Sequence, residues 1–255
     1  MLSSMNVNTE PVTMLRLAAE CKKKGVPLER INGHNAAQLQ QISRLWDLEA
    51  AVKSADFQKL YGYFLRETQA ECKRNGHLNQ EVGSARENDL KAALKYCLKE
   101  RCVVDIPNEN VEDCVVCENK LSIKHSSSKV GGGSVKAIWT TDQTLAKAYL
   151  DKMLTCEPQH FTDMLLSWVE EEAERVTLVC VTAEAVAAAV KKLGVGAFSM
   201  PKADTNPRGV SYSPAMIKEM VVTAHFKVVM EGVKLGGGQG PIARRLAVAA
   251  MVLDS

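Results

Sequence analysis

The segment V-E-D-C-V-V-C-E-N-K-L-S-I-K-H-S-S-S, residues 111–128, decides the fold because it predicts two short strands joined by a polar turn. In the first strand the acidic residues Glu112 and Asp113 are followed by apolar residues, and the strand ends at Cys117. Glu118-Asn119-Lys120 has the composition of a turn, and the chain runs back over Leu121–Ser126. The segment therefore predicts an antiparallel hairpin.

The hairpin places a carboxylate close to a lysine. In an antiparallel pair, residues whose numbers have the same sum lie opposite each other. A turn centred near Asn119 brings Asp113 close to the level of Lys124 and His125. A carboxylate can hold Mg²⁺, and a lysine beside it can orient or activate a water molecule. These are the minimal groups for cutting a phosphodiester.

Two interpretations of the acid and lysine pattern compete. Glu118-x-Lys120 has the two residues on one strand, but it falls in the predicted turn, where a site would project from a loop tip. Ser122-Ile123-Lys124 lies inside the returning strand, where Ser122, Lys124 and Ser126 share one face. Neighbouring strands hold a lysine in that position, as a catalytic site requires, so we favour the second interpretation.

The hairpin resembles the PD-(D/E)xK nuclease superfamily, and most of all its type II restriction endonucleases. Glu112-Asp113 stands where Pro-Asp would, and Ser122-Ile123-Lys124 stands where (D/E)-x-K would. The resemblance covers roughly residues 105–142. It implies a magnesium-dependent endonuclease of duplex DNA in which Asp113 binds the metal, Lys124 activates the water and Ser122 stands beside the site.

The resemblance also implies a further carboxylate from a helix that precedes the hairpin. In the helix predicted over Asp56–Lys73, Glu71 falls in the middle of the stripe formed by Phe57, Tyr61 and Phe64. A charge on a buried face needs a partner, so Glu71 is the predicted second metal ligand and catalytic acid. The other acids near the site are Asp105 and Glu112.

Two glycine-rich segments predict contacts with DNA. No acid occurs between Asn119 and Thr141, and the loop at 126–134 is rich in donors. Between Glu231 and Asp254 there is again no acid. We predict Trp139 to be a core residue. The predicted DNA contacts are Ser126, Ser128, Lys129, Lys136, Gln239, Arg244 and Arg245.

Composition bounds the class of protein. The chain has 255 residues, 46% hydrophobic content and a net charge of only +2, so a DNA surface must arise from local clustering. The sequence contains no signal-peptide pattern and no apolar run that could span a membrane, which predicts a cytoplasmic protein. Its eight cysteines are then expected to be reduced and mostly buried, and Cys114-x-x-Cys117 is expected to be structural rather than a zinc site.

The β-α-β order of the hydrophobic pattern predicts an α/β fold, and the resemblance implies a restriction-endonuclease-like core with a mixed sheet flanked by helices. A helical N-terminal region over residues 1–80 is expected to pack on a nuclease core over 81–255, so that the two form one continuous domain. Ser84-x-x-Glu87 predicts a capping box that opens a helix. We predict helices over Asp142–Leu154 and Pro158–Glu172, then a strand, helix and strand over 175–200. Ser213-Pro214 predicts the start of another helix.

The predicted function is that of a type II site-specific deoxyribonuclease that acts with Mg²⁺, expected as a homodimer because palindromic sites are usually read by two-fold dimers. Two alternatives remain open from the residues. One is a repair or recombination nuclease that selects DNA structure. The other is a DNA-binding protein without activity, which Ser122 keeps possible because it stands where an acid is usual.

Overall fold

The computed structural model of the chain describes residues 9–76, 79–104, 113–126, 128–200 and 209–235. The helices in these ranges are α1 (Thr9–Lys23), α2 (Ala36–Lys53), α3 (Ala55–Asn75), α4 (Asn79–Leu98), α5 (Gln143–Met153), α6 (Ala183–Leu193) and α7 (Pro214–Val222). The strands are β1 (Cys102–Val103), β2 (Cys114–Val116), β3 (Asn119–Ser126), β4 (Val135–Ile138), β5 (Asp163–Glu170), β6 (Arg175–Val181), β7 (Phe198–Ser199), β8 (Val210–Tyr212) and β9 (Phe226–Glu231).

A six-stranded mixed sheet with the order β1-β2-β3-β5-β6-β9 forms the centre of the fold. Only β3 and β5 pair in parallel, and the other neighbours are antiparallel. A second sheet has the order β4-β8-β7. Helices pack on the larger sheet; the hydroxyl of Tyr61 on α3, for example, lies 2.9 Å from the hydroxyl of Ser167 on β5. The predicted α/β class with a mixed sheet is therefore confirmed.

The hairpin of β2 and β3 forms with a tighter turn than the sequence predicts. Cys114 pairs with Leu121 and Val116 pairs with Asn119, so the turn consists of Cys117 and Glu118. Both turn residues have positive φ, at 49° and 69°, as a two-residue turn that matches the twist of the strands requires. The predicted turn at 118–120 was wrong, and the register now places Asp113 at the level of Ser122.

The segment predicted as a helix over Pro158–Glu172 is mainly strand β5. Seven of its eight residues are buried, because β5 lies between β3 and β6 and is covered on both faces. A strand buried on both faces loses the alternation of apolar and polar residues that identifies half-exposed strands. The prediction was wrong for that reason; Glu170 ends β5, and the acids that follow it, Glu171, Glu172 and Glu174, lie in the β5–β6 connection.

Helix α4 begins at Asn79, earlier than the capping-box pattern predicts. Ser84 and Glu87 consequently lie within the helix rather than at its start, so the predicted capping box was wrong. The prediction for Ser213 is confirmed, because its side chain accepts a hydrogen bond from the backbone N–H of Met216 at the start of α7. Because α4 begins at Asn79, Glu87 lies on a packed face of that helix instead of at its first turn.

The chain divides into two compact units, Met1–Lys53 and Ser54–Ser255, a division that differs in position from the predicted boundary after residue 80. In the first unit, α1 and α2 enclose a small apolar cluster that includes Leu17, Ile31 and Leu39. In the second unit, the larger core surrounds the buried Trp168 of β5. None of the helices in the described ranges has the length and apolar character needed to cross a membrane.

Candidate active site

Asp113 accepts three hydrogen bonds on one carboxylate oxygen. Its Oδ2 lies 2.7 Å from the backbone N of Ile123, 3.0 Å from Oγ of Ser122 and 2.9 Å from Nζ of Lys124. The backbone N–H of Asp113 also donates to the carbonyl of Leu121 at 2.9 Å. The hairpin register and these contacts together fix the position of the Asp113 carboxylate relative to Lys124.

The structure brings together Asp113, Ser122 and Lys124, the set that the second interpretation of the hairpin selects. Ser122 and Lys124 are two residues apart on β3 and therefore project from the same face. Glu118 instead lies in the turn, and Lys120 is exposed on the strand beside it. The ammonium of Lys124 is partly buried, as expected for a cation whose orientation its surroundings control.

Helix α4 contributes an acid that the sequence analysis missed. The carboxylate of Glu87 accepts a hydrogen bond of 3.2 Å from the backbone N–H of His125. Burial raises the pKa of Glu87, the positive charge of Lys124 opposes that rise, and the negative charge of Asp113 adds to it. The signal was present in the sequence, because Glu87 precedes Leu90 and Leu94 at helical spacing and so falls in the buried stripe.

Glu71 does not occupy the position that the sequence predicts. The covered face of α3 follows Tyr61, Thr68 and Cys72, which leaves Glu71 partly exposed on the flank. It is Glu67 that is buried, with 2% of its surface exposed. Within the part of the chain that the structure describes, no hydrogen bond or ion pair joins Glu71 to Asp113 or Lys124. The predicted placement of Glu71 in the centre of the buried stripe was therefore wrong.

A second lysine lies near the carboxylate of Asp113. Nζ of Lys91, on α4 one turn after Glu87, is 3.9 Å from Oδ1 of Asp113. Lys124 and Lys91 thus face different oxygens of the same carboxylate. The result is a small cluster of two carboxylates and two ammonium groups at the junction of α4 with the hairpin.

The carboxylates of Asp113 and Glu87 suit a hard divalent cation. The two interact electrostatically, and a cation between them would offset their repulsion. Mg²⁺ binds through one or two carboxylates and keeps several waters, so two such ligands are sufficient. Over the described ranges there is no cluster of three or more His, Cys, Asp or Glu side chains with metal-binding geometry. The predicted acids Asp105 and Glu112 lie outside the described residues.

The imidazole of His125 is neutral because burial and the adjacent guanidinium of Arg86 lower its pKa to about 3. Arg86 can only donate, so the contact of 3.1 Å between its Nη1 and Nε2 of His125 makes Nε2 the acceptor. The proton of the ring then resides on Nδ1. At neutral pH His125 is therefore an uncharged hydrogen-bond acceptor for Arg86.

In the first predicted DNA-contact segment, the side chains of the described serines form hydrogen bonds with each other and with the loop backbone. The hydroxyls of Ser126 and Ser128 lie 2.8 Å apart, and the hydroxyl of Ser128 donates to the carbonyl of Gly132 at 2.7 Å. Lys129 is exposed at the tip. The second predicted segment, with Gln239, Arg244 and Arg245, lies outside the described residues.

Trp139 is a surface residue rather than the core residue that the sequence predicts. Its side chain is 53% exposed, and Nζ of Lys136 lies 5.1 Å from the centre of its ring. Lys136 and Trp139 therefore form a cation–π pair at the surface beside β4. The prediction failed because β4 ends at Ile138, so Trp139 lies just beyond the small sheet instead of within it.

Comparison with known proteins shows which family and which solved structure the chain is similar to. A family model described as restriction endonuclease ThaI matches residues 51–231. A solved structure described as a restriction endonuclease in complex with substrate DNA has a TM-score of 0.63 and 24% identity, over 83% of this chain and 98% of that chain. At this identity the likeness of the two structures shows a shared fold. No curated protein matches the chain.

Proposed function

The chain belongs to the family of restriction endonuclease ThaI and is a type II site-specific nuclease, and we propose that Asp113, Glu87 and Lys124 carry out its cleavage of duplex DNA with Mg²⁺. The observation that carries the assignment of residues is the contact of 2.9 Å between Nζ of Lys124 and Oδ2 of Asp113. It joins the two side-chain types that a metal-assisted phosphodiester hydrolysis needs, on two strands of one hairpin.

Lys124 orients the attacking water and opposes the charge that develops on the phosphorane. Its ammonium is partly buried beside the hairpin, where a fixed positive charge acts more strongly than in bulk water. Ser122 holds Oδ2 of Asp113 by donating to it, and the N–H of Ile123 does the same from the backbone. The side chain of Ser122 therefore positions the acid and is not a strong ligand.

Asp113 and Glu87 are the residues that would hold Mg²⁺. The bound ion supplies Lewis-acid polarisation of the phosphate and lowers the pKa of a water molecule. Ser122 replaces the acid that the superfamily pattern has at this position, and Glu87 supplies a carboxylate to the same site from α4. This assignment supersedes Glu71 as the helix-borne acid.

We propose duplex DNA as the substrate and a two-fold homodimer as the acting species. A solved structure of similar fold is a complex with substrate DNA. Lys129, at the tip of its loop, and the Lys136–Trp139 pair offer positive charge and an aromatic face on the surface. These groups suit contacts with phosphates, which fix the register of a protein on DNA.

The test of the proposed function is incubation of the purified chain with long duplex DNA, with Mg²⁺ and separately with EDTA, followed by gel electrophoresis. We expect discrete fragments with Mg²⁺ only. Intact DNA under both conditions, together with a band shift at low salt, would instead indicate a binding protein without activity.

Lys124→Ala tests the role of the lysine. We expect the single-turnover cleavage rate to fall by about 10²–10³-fold, because the charge that opposes the phosphorane is lost, while DNA binding is retained. The matched control is Lys120→Ala, which removes an exposed lysine from the same strand and should cut at the parental rate. The reverse pattern would support the Glu118-x-Lys120 interpretation.

A further inference from the structure

A buried arginine joins four elements directly behind the proposed site. Arg86 on α4 has only 2% of its surface exposed. Its Nη2 donates to Oε1 of Gln69 at 2.7 Å and to Oε1 of Glu171 at 2.9 Å, and its Nη1 donates to Nε2 of His125 at 3.1 Å. These partners lie on α3, in the β5–β6 connection and on β3.

Arg86 and its partner His125 are each adjacent in sequence to a proposed catalytic residue. Arg86 precedes Glu87 on α4, and His125 follows Lys124 on β3. Two contacts therefore join α4 to β3 at the same level: the side chains of Arg86 and His125, and the carboxylate of Glu87 with the backbone N–H of His125. Together they determine where the carboxylate of Glu87 lies relative to Lys124.

A burial of this kind is costly unless the guanidinium serves several acceptors at once. Taking a charge out of water is unfavourable, and it is most unfavourable when one of the hydrogen-bonding partners is missing. The planar fork of arginine can direct separate N–H groups to acceptors on different elements, whereas an ammonium is a single point charge. Replacement by lysine would therefore preserve the charge and lose the geometry.

We propose that Arg86 is a positioning residue, which holds the carboxylate of Glu87 against Asp113 and Lys124 by fixing α4 on β3 through His125. The inference rests on the proposed function of the hairpin site and deepens it. Arg86 does not touch the reacting atoms. Its effect reaches the site through the orientation of Glu87, in the way that hydrogen-bonding partners outside a metal site orient its ligands.

The test compares Arg86→Lys with the parent chain. Mn²⁺ is titrated calorimetrically into the full-length chain, and single-turnover cleavage is measured against Mg²⁺ concentration. We expect the Mn²⁺ dissociation constant and the half-saturating Mg²⁺ concentration to rise about tenfold or more, while the dissociation constant for DNA in Ca²⁺ stays within about twofold. If Arg86 has a purely structural role, Arg86→Lys should lower the unfolding temperature but leave the Mn²⁺ dissociation constant and the half-saturating Mg²⁺ concentration unchanged. That result would overturn the proposal.

Two further variants keep the test decisive. Arg175→Lys is the matched control, because Arg175 also pairs with a carboxylate, that of Glu231, but does so on the surface across β6 and β9; its metal affinity should equal that of the parent. Glu171→Ala removes one acceptor of Arg86 that is partly exposed, so the chain should still fold. It should weaken Mn²⁺ binding about twofold or more, and parental affinity would overturn the proposal.

The parent chain separates the two levels of inference. If it binds Mn²⁺ but cuts no DNA, the proposed function fails, and the role of Arg86 is still judged from the Mn²⁺ affinities of the variants. If the parent cuts DNA and Arg86→Lys has parental metal dependence, only the positioning role fails. If the parent binds no Mn²⁺, Arg86 has no metal-binding carboxylates to position, and this inference is overturned.

Discussion

At the scale of single residues, the two acids proposed for the site differ in how their positions arise. Asp113 is held by the register of a hairpin, a local structure that can be predicted from about eighteen residues of sequence. Glu87 reaches the same place from a helix whose path depends on packing. The sequence analysis instead named Glu71, which lies partly exposed on the flank of α3.

Comparison of Glu87→Gln with Glu71→Gln distinguishes these two carboxylates. Glu87→Gln removes a charge beside Asp113 and should raise the Mg²⁺ concentration for half-maximal cleavage about tenfold to a hundredfold. Glu71→Gln should retain the parental metal dependence, because its side chain has no contact with Asp113 or Lys124 in the described part of the chain. Both are measured by single-turnover cleavage; a loss confined to Glu71→Gln would restore the original assignment.

A buried carboxylate in the N-terminal unit makes the stability of that unit dependent on pH. Glu49 is 2% exposed, and its Oε1 accepts hydrogen bonds of 2.6 Å from Arg30 and 2.5 Å from Lys53. Burial acts to raise the pKa of Glu49, but the two cations outweigh it, and the pKa ends below its usual value. The folded state therefore prefers the charged form.

The sign of this effect follows from linkage. Because the pKa of Glu49 is lower in the folded state, its charge stabilises the folded chain at pH values above the pKa in the unfolded chain, about 4.3. This stabilisation is lost as the pH falls through the pKa of Glu49 in the folded state. We expect Glu49→Gln to cost about 1–3 kcal/mol at pH 7 and much less well below pH 4. Hydrogen exchange of the amides in α2, at pH 7 and again well below pH 4, measures this loss of stability. An equal loss at the two pH values would contradict the role of the charged Glu49.

At the scale of secondary-structure elements, a close approach of two backbones constrains the smaller sheet. Gly209, directly before β8, has φ of +78°, and a Cβ there would collide with the carbonyl oxygen of Ile138 at the end of β4. Only glycine combines this conformation with this approach at low cost. The pairing of β4 with β8 therefore depends on one residue without a side chain.

Gly209→Ala should lower the free energy of unfolding by at least about 2 kcal/mol, since it adds both backbone strain and a collision. The control Gly83→Ala is in α4, where a Cβ meets nothing within 4 Å, and it should stabilise the chain by about 0.5–1 kcal/mol. Urea denaturation followed by circular dichroism measures both values. Equal stability of the parent and Gly209→Ala would show that β4 and β8 do not approach as described.

At the scale of the whole molecule, the proposed homodimer gives a prediction of mass. In light scattering after size-exclusion chromatography with cleavable DNA and Ca²⁺, the complex of a two-fold dimer should have the mass of the DNA plus two chains of 27.9 kDa each. The same sample without DNA is the control for dimerisation before binding. A complex that contains a single chain per DNA, under conditions that support cleavage, would overturn the proposal.

The hairpin, the α/β class and most helices could be predicted from sequence because each depends on neighbours within about ten residues. Strand alternation and register bring Asp113, Ser122 and Lys124 together. The prediction of this set therefore held although the turn was predicted at the wrong residues. For the same reason the start of α7 follows from its cap residue, Ser213.

Tertiary structure alone decided the features whose causes lie far away in the chain. Strand β5 has no alternation because it is buried on both faces in the middle of the sheet, so its sequence does not distinguish it from a helix. Glu87 and Arg86 acquire their roles only when α4 packs on β3, a contact between residues 38 and 39 positions apart. Local pattern specifies elements and local pairs of side chains, whereas burial, and with it the electrostatics of the site, depends on how those elements pack.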